Sequence, residues 1–310
     1  MSNWSHALVT GGAGFIGSHL ARTVLAEGRK VTVLDNLSVG KQSAVPDGAR
    51  FVRGDIRDAA AVDDALTGVD AVFHLAAQVT IRGSFDRFYE DLDTNVMGTA
   101  CILRAVDPAR MKWFTLASSM AVYADAPTPA PIDEHHPTQP ISPYGVGKLA
   151  AEGVSRHILE AKGIPFTAVR FFNTFGPGQT FTPYVGVLTI FVTRLLRGED
   201  ITIFGDGEQQ RDFIHVSDIV GGTIGATGRA AGTFNLGTGR GTSLNQLAAL
   251  VLNRLAPGKT PRYGAAQPGE LRFSVAKIEA ARRAFGFAPA RSVERNLDDV
   301  IDAVKTGARR

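Results

Sequence analysis

The sequence has a single cysteine, Cys101, among its 310 residues. No disulfide can therefore form within the chain, and a reducing cytoplasm is the expected location. Long hydrophobic runs are also missing, because no apolar stretch approaches the ~18 residues that a membrane-spanning helix needs. The segment Met1–His6 is polar, and the apolar run after it is only as long as a strand. We therefore expect neither a signal peptide nor contact with a membrane.

An excess of charge is missing as well. The formal net charge is only +3, and no dense basic run with interleaved aromatic residues occurs, so nucleic-acid binding is not expected. The seven histidines are scattered along the chain, and none has the spacing to cysteine or glutamate that a metal site requires. The sequence therefore predicts a globular protein without a metal centre.

The chain does contain a regular alternation of short apolar runs and helix-length amphipathic segments. Continuous apolar runs of this kind are typical of buried parallel strands. The predicted strands are Ala7–Thr10, Val31–Leu34, Arg50–Val52, Ala71–Leu75, Trp113–Ala117 and Phe166–Phe172. The predicted helices between them are Ile16–Glu27, Ala59–Leu66, Thr94–Ala105 and Tyr144–Lys162. This alternation predicts an α/β fold with a Rossmann-type, doubly wound parallel sheet.

The pattern changes after Asn173, and the second half favours a smaller C-terminal α/β lobe on the substrate side. Its predicted strands are Ile201–Phe204 and Phe234–Leu236, and its predicted helices are Val187–Leu196, Leu244–Leu255, Val275–Phe285 and Ser292–Val304. We assign residues 1–173 to a nucleotide-binding Rossmann domain and residues 174–310 mainly to the substrate lobe. The boundary is soft, and the chain can cross between the two lobes.

A glycine-rich loop follows the first predicted strand. Gly12, Gly14 and Gly17 satisfy G-x-G-x-x-G, and Gly11, Gly14 and Gly17 repeat at a spacing of three residues. Glycines here permit a tight turn and a close backbone approach to a pyrophosphate, which the N-terminus of the following helix attracts. The motif alone is weak, but its position between a strand and a helix supports dinucleotide binding.

An acidic residue, Asp35, ends the second predicted strand. A carboxylate there hydrogen bonds the ribose hydroxyls of NAD and repels the 2′-phosphate of NADP. Asn36 and Leu37 follow it, and no arginine does, so NAD is the predicted cofactor. Asp55, which we place at the end of the third strand, is positioned for the adenine amino group; the alternative is an N-cap for a helix over Arg57–Leu66.

The catalytic candidates are Tyr144 and Lys148, which share one helix face at i and i+4. A free tyrosine has a pKa of about 10, and a neighbouring ammonium together with a cationic nicotinamide ring could lower it by stabilising the phenolate. Ser119 follows a strand end, where ligands bind in a parallel sheet, and could hydrogen bond the same substrate oxygen. The alternative is a packed tyrosine and a solvated lysine without a catalytic role.

These features resemble the extended short-chain dehydrogenase/reductase family, specifically its nucleotide-sugar epimerases and dehydratases. The resemblance covers nearly the whole chain. Its further motifs include His74-Leu75-Ala76-Ala77, Asn95-Val96, Ser118-Ser119, Arg170-Phe171-Phe172-Asn173, Gly176-Pro177-Gly178-Gln179, Phe204-Gly205-Asp206-Gly207, Arg211-Asp212-Phe213-Ile214-His215-Val216 and Pro268-Gly269-Glu270.

The resemblance implies two sets of binding residues beside the catalytic Ser119, Tyr144 and Lys148. The predicted NAD contacts are Gly11, Gly14, Phe15, Ile16, Gly17, Asp35, Asn36, Asp55, Ile56, Leu75, Ala76, Ala77, Asn95, Tyr144, Lys148 and Phe172. The predicted substrate contacts are Ser119, Asn173, Val187, Thr202, Phe204, Arg211, Glu270, Arg272 and Ser274. Arg211 could instead form a surface ion pair with Asp212, and Arg272 could be a solvated side chain.

The implied activity is NAD-dependent 4-epimerisation of a UDP-sugar through a transient 4-keto intermediate. UDP-glucose and UDP-galactose, or their N-acetylhexosamine forms, are the expected substrates. The alternatives are a 4-epimerase or decarboxylase of a uronic acid nucleotide, a C3/C5 epimerase, a 4-ketoreductase and, in another class, a non-catalytic NAD-sensing module. Relatives also imply a homodimer that pairs through the helices over Thr94–Ala105 and Tyr144–Lys162.

Three positions refine this expectation. Family members that dehydrate the sugar carry an Asp-Glu pair after the catalytic serine or threonine. Met120 and Ala121 stand there in this chain and cannot exchange protons. Ser274 falls where the family restricts sugar size, and a serine leaves space for an N-acetyl group.

Overall fold

The computed structural model describes residues 3–181, 186–266 and 271–307. The strands are β1 His6–Thr10, β2 Lys30–Asp35, β3 Arg50–Arg53, β4 Ala71–His74, β5 Trp113–Ser119, β6 Phe166–Phe171, β7 Asn173–Phe175, β8 Thr202–Phe204, β9 Gln210–His215, β10 Gly232–Leu236, β11 Gly241–Ser243, β12 Arg262–Gly264 and β13 Phe273–Ser274. The helices are α1 Phe15–Ala26, α2 Ala59–Ala65, α3 Gly83–Asp86, α4 Phe88–Leu92, α5 Gly98–Ala105, α6 Pro143–Ala161, α7 Val187–Leu196, α8 Val216–Ala226, α9 Leu244–Leu255, α10 Glu279–Phe285 and α11 Val293–Gly307.

The main sheet has seven parallel strands in the order β10-β6-β5-β4-β1-β2-β3. Successive side chains of β1 point to opposite faces, so Leu8 joins the apolar core on one side while Ala7 and Val9 join the core on the other. Both faces are therefore covered, which explains why these strands are continuous apolar runs. The prediction of a doubly wound α/β fold is confirmed.

The strand order reverses direction at β1, which pairs with β2 on one side and β4 on the other. Thr10 stands opposite Leu34 in β2 and opposite His74 in β4. The carboxyl ends of the three strands therefore meet at one point. A crevice outside such a reversal is the usual ligand site of an open parallel sheet.

The segment Phe234–Leu236, which we expected among the strands of the small lobe, lies instead in the main sheet. It forms most of β10, which pairs in parallel with β6. The preceding helix α8 packs on α1 of the Rossmann half. The chain thus leaves the main sheet after β6, builds part of the small lobe, and returns before leaving again.

The small lobe is built around β9, which the sequence analysis did not predict. Strands β7 and β13 pair with it in parallel, and β11 pairs with it in the antiparallel sense. Strands β8 and β12 form a separate parallel pair. Helices α7, α9 and α11 pack on this framework through a buried apolar cluster. The predicted helix over Val275–Phe285 begins only at Glu279, because the chain stays extended after β13, where Ala276 pairs with Ile132.

Candidate active site

The glycine loop is packed so tightly that side chains are excluded. Gly11 has φ +69°, and a Cβ there would lie 2.9 Å from the backbone nitrogen of Ala76. A Cβ on Gly17 would lie 2.1 Å from the carbonyl oxygen of Gly11. Gly14 is the N-cap of α1 and provides no side-chain cap, so the first N–H groups of α1 are left for an anion. The loop therefore fits a dinucleotide pyrophosphate.

Asp35 lies beside this loop and is 8% exposed. Its carboxylate accepts hydrogen bonds from the backbone nitrogens of Ala13, at 2.9 Å, and Leu37, at 2.8 Å. Leu37 has the left-handed φ of +60°, which is uncommon for a residue with a side chain. The backbone around Asp35 thus fixes its carboxylate at the glycine loop, where the ribose hydroxyls of NAD would fit.

Asp55 is placed differently from the sequence prediction, because β3 ends at Arg53 and Asp55 lies in the following loop. The N-cap interpretation is wrong, since α2 is capped by Asp58. The Asp55 carboxylate accepts hydrogen bonds at 2.8 Å from Asn36 Nδ2 and from Nε and one terminal nitrogen of Arg57. The Arg57 guanidinium holds the pKa of Asp55 well below its usual range. Asp55 therefore remains a hydrogen-bond acceptor at the adenine end of the predicted NAD site.

The other predicted NAD contacts lie around the same crevice. Phe15 and Ile16 begin α1, while Leu75, Ala76 and Ala77 follow β4. The backbone nitrogens of Leu75 and Ala76 both donate to Thr10 Oγ1 at 3.1 Å, which fixes that strand end. Two further contacts are buried: Ile56 packs against Gly98 of α5, and Phe172 donates its backbone N–H to the Leu236 carbonyl.

Ser119, Tyr144 and Lys148 are brought together at the carboxyl end of β5. Helix α6 begins after Ser142, whose hydroxyl accepts from the Gly145 nitrogen at 3.1 Å, so Tyr144 lies in its first turn. Tyr144 is 7% exposed, and the Ser119 hydroxyl lies near enough to lower the pKa of its phenol. Lys148 is 5% exposed, and its Nζ donates at 3.0 Å to the carbonyl of Ala117 in β5. The three side chains therefore form one buried group.

Burial moves the pKa values of this group in opposite directions. It raises the pKa of Tyr144 to about 12, against a smaller lowering effect of the neighbouring Ser119 hydroxyl. It also lowers the pKa of Lys148 to about 8, which the nearby carboxylates of Asp91 and Glu152 oppose. Tyr144 is thus protonated near pH 7, and the lowering of its pKa by an ammonium together with a nicotinamide ring stays a prediction.

A buried polar chain connects the glycine loop to this group. His74 hydrogen bonds Thr10 Oγ1 at 2.7 Å and Thr99 Oγ1 at 2.9 Å, and burial lowers the pKa of His74 to about 3. Thr99 in turn donates to the carbonyl of Asn95 at 2.6 Å. Asn95 therefore lies at the end of a polar chain that begins at β1.

The amide of Asn95 makes three further hydrogen bonds. It bonds both backbone groups of Gln78, at 2.9 and 3.1 Å, and Asp91 Oδ1, at 3.0 Å. Asn95 is therefore an internal polar anchor that ties α4 to the segment after β4, and its contact with NAD stays a prediction.

Two residues of the site were missed by sequence reasoning. Asp91 of α4 is 3% exposed, although it stands in a segment rich in charged residues that reads as a solvated helix face. Ser84 accepts a hydrogen bond from the Tyr144 backbone nitrogen at 3.1 Å and so fixes the start of α6. The spacing of Asp91 and Asn95, at i and i+4, was the available signal for a contact between them.

Three of the predicted substrate contacts lie on β9 or on strands that pair with it. Arg211 is 7% exposed, and one of its terminal nitrogens donates at 2.9 Å to the carbonyl of Gln210. Ser274 stands opposite Arg211 in the sheet, and Asn173 stands opposite Phe213. Within the described ranges, Asn173 Oδ1 and Ser274 Oγ are buried without a hydrogen-bond partner. Buried orphan atoms of this kind suit a site that a polar ligand completes.

The alternative pairing of Arg211 with Asp212 is wrong. Asp212 is fully buried and accepts hydrogen bonds from backbone nitrogens of Thr238, Gly239 and Ala276, at 2.8, 2.9 and 3.1 Å. Asp212 therefore anchors the loop beyond β10 and the segment that follows β13.

The remaining substrate candidates are spread over the small lobe. Arg272 makes a bidentate ion pair with Asp206 at 2.7 and 2.9 Å, and both side chains are exposed. The guanidinium of Arg82, from the Rossmann half, lies 4.9 Å from the centre of the Phe204 ring. Val187 begins α7 and Thr202 begins β8. Glu270 lies outside the described residues.

The described ranges contain neither a cluster of metal ligands nor a membrane-spanning helix. Residues 3–181, 186–266 and 271–307 contain no group of three or more histidine, cysteine, aspartate or glutamate side chains that could hold a metal ion. Within that part of the chain, no helix combines the length and the apolar character needed to cross a membrane.

Comparison with known proteins gives consistent results. Residues 7–237 match the model of the NAD-dependent epimerase/dehydratase family. A putative UDP-glucose 4-epimerase of Methanocaldococcus jannaschii is 33% identical over 97% of this chain and 99% of its own.

Solved structures agree with that match. The UDP-glucose 4-epimerase of Thermotoga maritima, in complex with UDP-glucose, is 34% identical, covers 98% of this chain and 99% of its own, and superposes with a TM-score of 0.93. The Thermus thermophilus UDP-glucose 4-epimerase complex with NAD is 32% identical over 97% of this chain and 99% of its own, with a TM-score of 0.91. This chain therefore belongs to the NAD-dependent epimerase/dehydratase family.

Proposed function

We propose that the protein is an NAD-dependent 4-epimerase of a UDP-sugar. The observation that carries the proposal is the buried group of Ser119, Tyr144 and Lys148. The turn that follows Ser119 contains no carboxylate. Met120 and Ala121 form that turn and are 8% and 5% exposed. The names of the similar proteins, UDP-glucose 4-epimerases among them, support the same reaction.

Tyr144 is proposed to take the proton from the sugar 4-hydroxyl and later to return it. Its pKa of about 12 would have to approach neutrality, which requires roughly 7 kcal/mol at about 1.4 kcal/mol per pH unit. Bound NAD would accept and return the hydride at C4 and would add positive charge beside Tyr144. Lys148 supplies a second positive charge, and Ser119 hydrogen bonds the oxygen that changes state. Two positive charges would thus be available to stabilise the phenolate.

Inversion at C4 requires that the 4-keto sugar turns over while its nucleotide stays bound. Arg211 and Asn173 are proposed to hold the diphosphate, because a guanidinium and a buried amide match its oxygens. Ser274 stands beside Arg211 and is small, so the space around the sugar is not closed by an aromatic ring. We therefore propose that N-acetylhexosamine nucleotides are also accepted.

Incubation with UDP-galactose and no added reductant tests the reaction. We expect UDP-glucose to form until both sugars are in equilibrium, since an epimerase regenerates its cofactor in each turnover. A 4-ketoreductase would instead need reduced cofactor in stoichiometric amounts. Formation of a 4-keto-6-deoxy sugar, or of no product from UDP-galactose and UDP-N-acetylgalactosamine, would contradict the proposal.

A homodimer is proposed through the surface formed by α4, the π-helical turn at Asp93–Met97 and the start of α6. Large apolar side chains are exposed there: Phe88 at 56%, Tyr89 at 74%, Met97 at 59%, Ile141 at 41% and Val146 at 47%. An apolar groove runs between Phe88 and Val146. Clustered apolar exposure of this kind is typical of an interface between chains.

Cys101, the one thiol, is consistent with the proposed cytoplasmic location.

A further inference from the structure

Asp91 is a carboxylate buried within the site. It lies in α4, next to the π-helical turn, and its Oδ1 accepts from Asn95 Nδ2 at 3.0 Å. Its other neighbour is the backbone of α6, because a Cβ on Gly147 would lie only 3.4 Å from the same oxygen. Gly147 immediately precedes Lys148, so the absence of a side chain lets the carboxylate approach α6 between Tyr144 and Lys148.

The titratable groups near Lys148 come from three elements. Glu152 lies one turn further along α6, Asp91 comes from α4, and His74 comes from β4. His74 is neutral near pH 7, because burial lowers its pKa to about 3. Glu152 is already neutralised by Arg170, which binds both of its oxygens at 3.0 and 2.7 Å.

Asp91, in contrast, receives its hydrogen bond from the neutral amide of Asn95. Its charge is therefore the one most available to an ammonium.

We propose that Asp91 is a positioning residue, whose buried carboxylate keeps Lys148 in the ammonium form beside Tyr144 and fixes Asn95. The two charges sustain one another in a site that disfavours each of them alone. Burial raises the pKa of Asp91 while Lys148 lowers it, and burial lowers the pKa of Lys148 while Asp91 raises it. The inference rests on the proposed function only where a reaction rate is measured.

Neutralising Asp91 has a specific consequence for the reaction. Lys148 would lose its proton at lower pH, so the alkaline limb of the rate profile would move down. Asp91 also raises the pKa of Tyr144, so the acid limb, at which Tyr144 becomes a base, would move down too. The whole pH optimum would therefore shift to lower pH, whereas a purely structural defect would reduce the rate without moving the optimum.

The test compares Asp91→Asn with Asp86→Asn, which removes the same charge from an exposed position. Asn keeps an acceptor for Asn95 and nearly the same volume. The Cε resonance of Lys148 is followed by NMR against pH in protein saturated with NAD, after assignment by its loss in Lys148→Met. We expect its titration midpoint, and the pH optimum for UDP-galactose conversion, to fall by about one pH unit in Asp91→Asn only. Unchanged midpoints would overturn the proposal.

A reciprocal measurement covers the possibility that Asp91→Asn does not fold. In Lys148→Met, the carboxyl resonance of Asp91 should titrate at higher pH than in the wild-type protein, because coupling between two charges is mutual. An unshifted Asp91 would also overturn the proposal. The NMR titrations need no turnover, so they decide the role of Asp91 even if UDP-galactose is not converted.

Discussion

At the scale of single residues, the proposed chemistry depends on one hydroxyl, that of Tyr144. Replacing Tyr144 by Phe removes the proton carrier while keeping the buried ring. We expect the turnover rate with UDP-galactose to fall by about 10²–10⁴, the usual contribution of general acid–base catalysis. NAD binding, followed by fluorescence titration, should change little.

Tyr263→Phe is the matched control, since Tyr263 is 58% exposed on β12. A Tyr144→Phe protein that turns over at the wild-type rate would exclude the proposed role. If neither the wild-type protein nor Tyr144→Phe shows activity, the NAD-sensing alternative would be favoured instead.

Gly17 gives a second prediction at this scale. A Cβ there would meet the Gly11 carbonyl oxygen at 2.1 Å, and this neighbour is backbone that cannot move aside. Gly17→Ala should therefore lower both the melting temperature and the affinity for NAD. Gly221→Ala is the control, because Gly221 lies within α8 with nothing near its Cβ position and should gain about 0.5–1 kcal/mol. Equal effects of the two substitutions on NAD affinity would contradict this account.

The residues of the site differ in how far the sequence could predict them. Tyr144 and Lys148 were predictable because helical geometry alone places i and i+4 on one face. Asp91 and Ser84 were not, because their burial depends on how α3 and α4 pack on α6, which no local pattern contains. The lowering of the Tyr144 pKa by Lys148 and a nicotinamide ring stays a prediction, whereas the raising effect of burial could not be predicted, because it depends on how α6 packs on the sheet.

At the scale of elements, α6 is joined to the main sheet by a buried ion pair. Glu152 of α6 and Arg170 of β6 have side chains that are 3% and 6% exposed, and Arg170 also lies 4.7 Å from the centre of the Tyr123 ring. Ser118 donates a further hydrogen bond to Glu152. This network lies beside the catalytic group and fixes α6 against β5 and β6.

Arg170→Met should cost about 3–5 kcal/mol in the free energy of unfolding, because it leaves a buried carboxylate without its cation. The double variant Arg170→Met/Glu152→Gln should recover part of that loss, since no buried charge remains. Urea unfolding measures both. Arg254→Met, which breaks the exposed pair with Asp298, should have no measurable effect. Strictly additive costs at the buried pair would argue against a direct coupling.

The elements also show why the first half of the chain was easier to predict. Strands β1 to β6 lie within the main sheet, and all of them except the edge strand β3 are buried along nearly their whole length, so their apolar pattern is nearly continuous. Strand β9 carries Arg211, Asp212 and His215, and these polar side chains interrupt its apolar pattern and conceal the strand. The run Phe234–Leu236 is a strand as expected, but three residues cannot indicate which sheet they join.

At the scale of the whole molecule, the exposed apolar surface on α4 and α6 predicts a dimer. Tyr89→Glu would place a charge in that interface and should shift the sedimentation coefficient from that of a dimer to that of a monomer. Tyr263→Glu makes the same change at an exposed site on the small lobe and should leave the dimer intact. A wild-type protein that sediments as a monomer at micromolar concentration would refute the interface.

The path of the chain through β10 has a consequence for recombination between relatives. Strand β10 and helix α8 come after the first part of the small lobe in sequence, yet they complete the sheet and cover α1. A gene fusion with one junction after residue 173 would take strands β1 to β6 from one parent and the edge strand β10 of the same sheet from the other parent. A chimera that exchanges the whole small lobe therefore requires two further junctions, one on each side of residues 216–236. The main sheet and its edge strand are then inherited from the same parent.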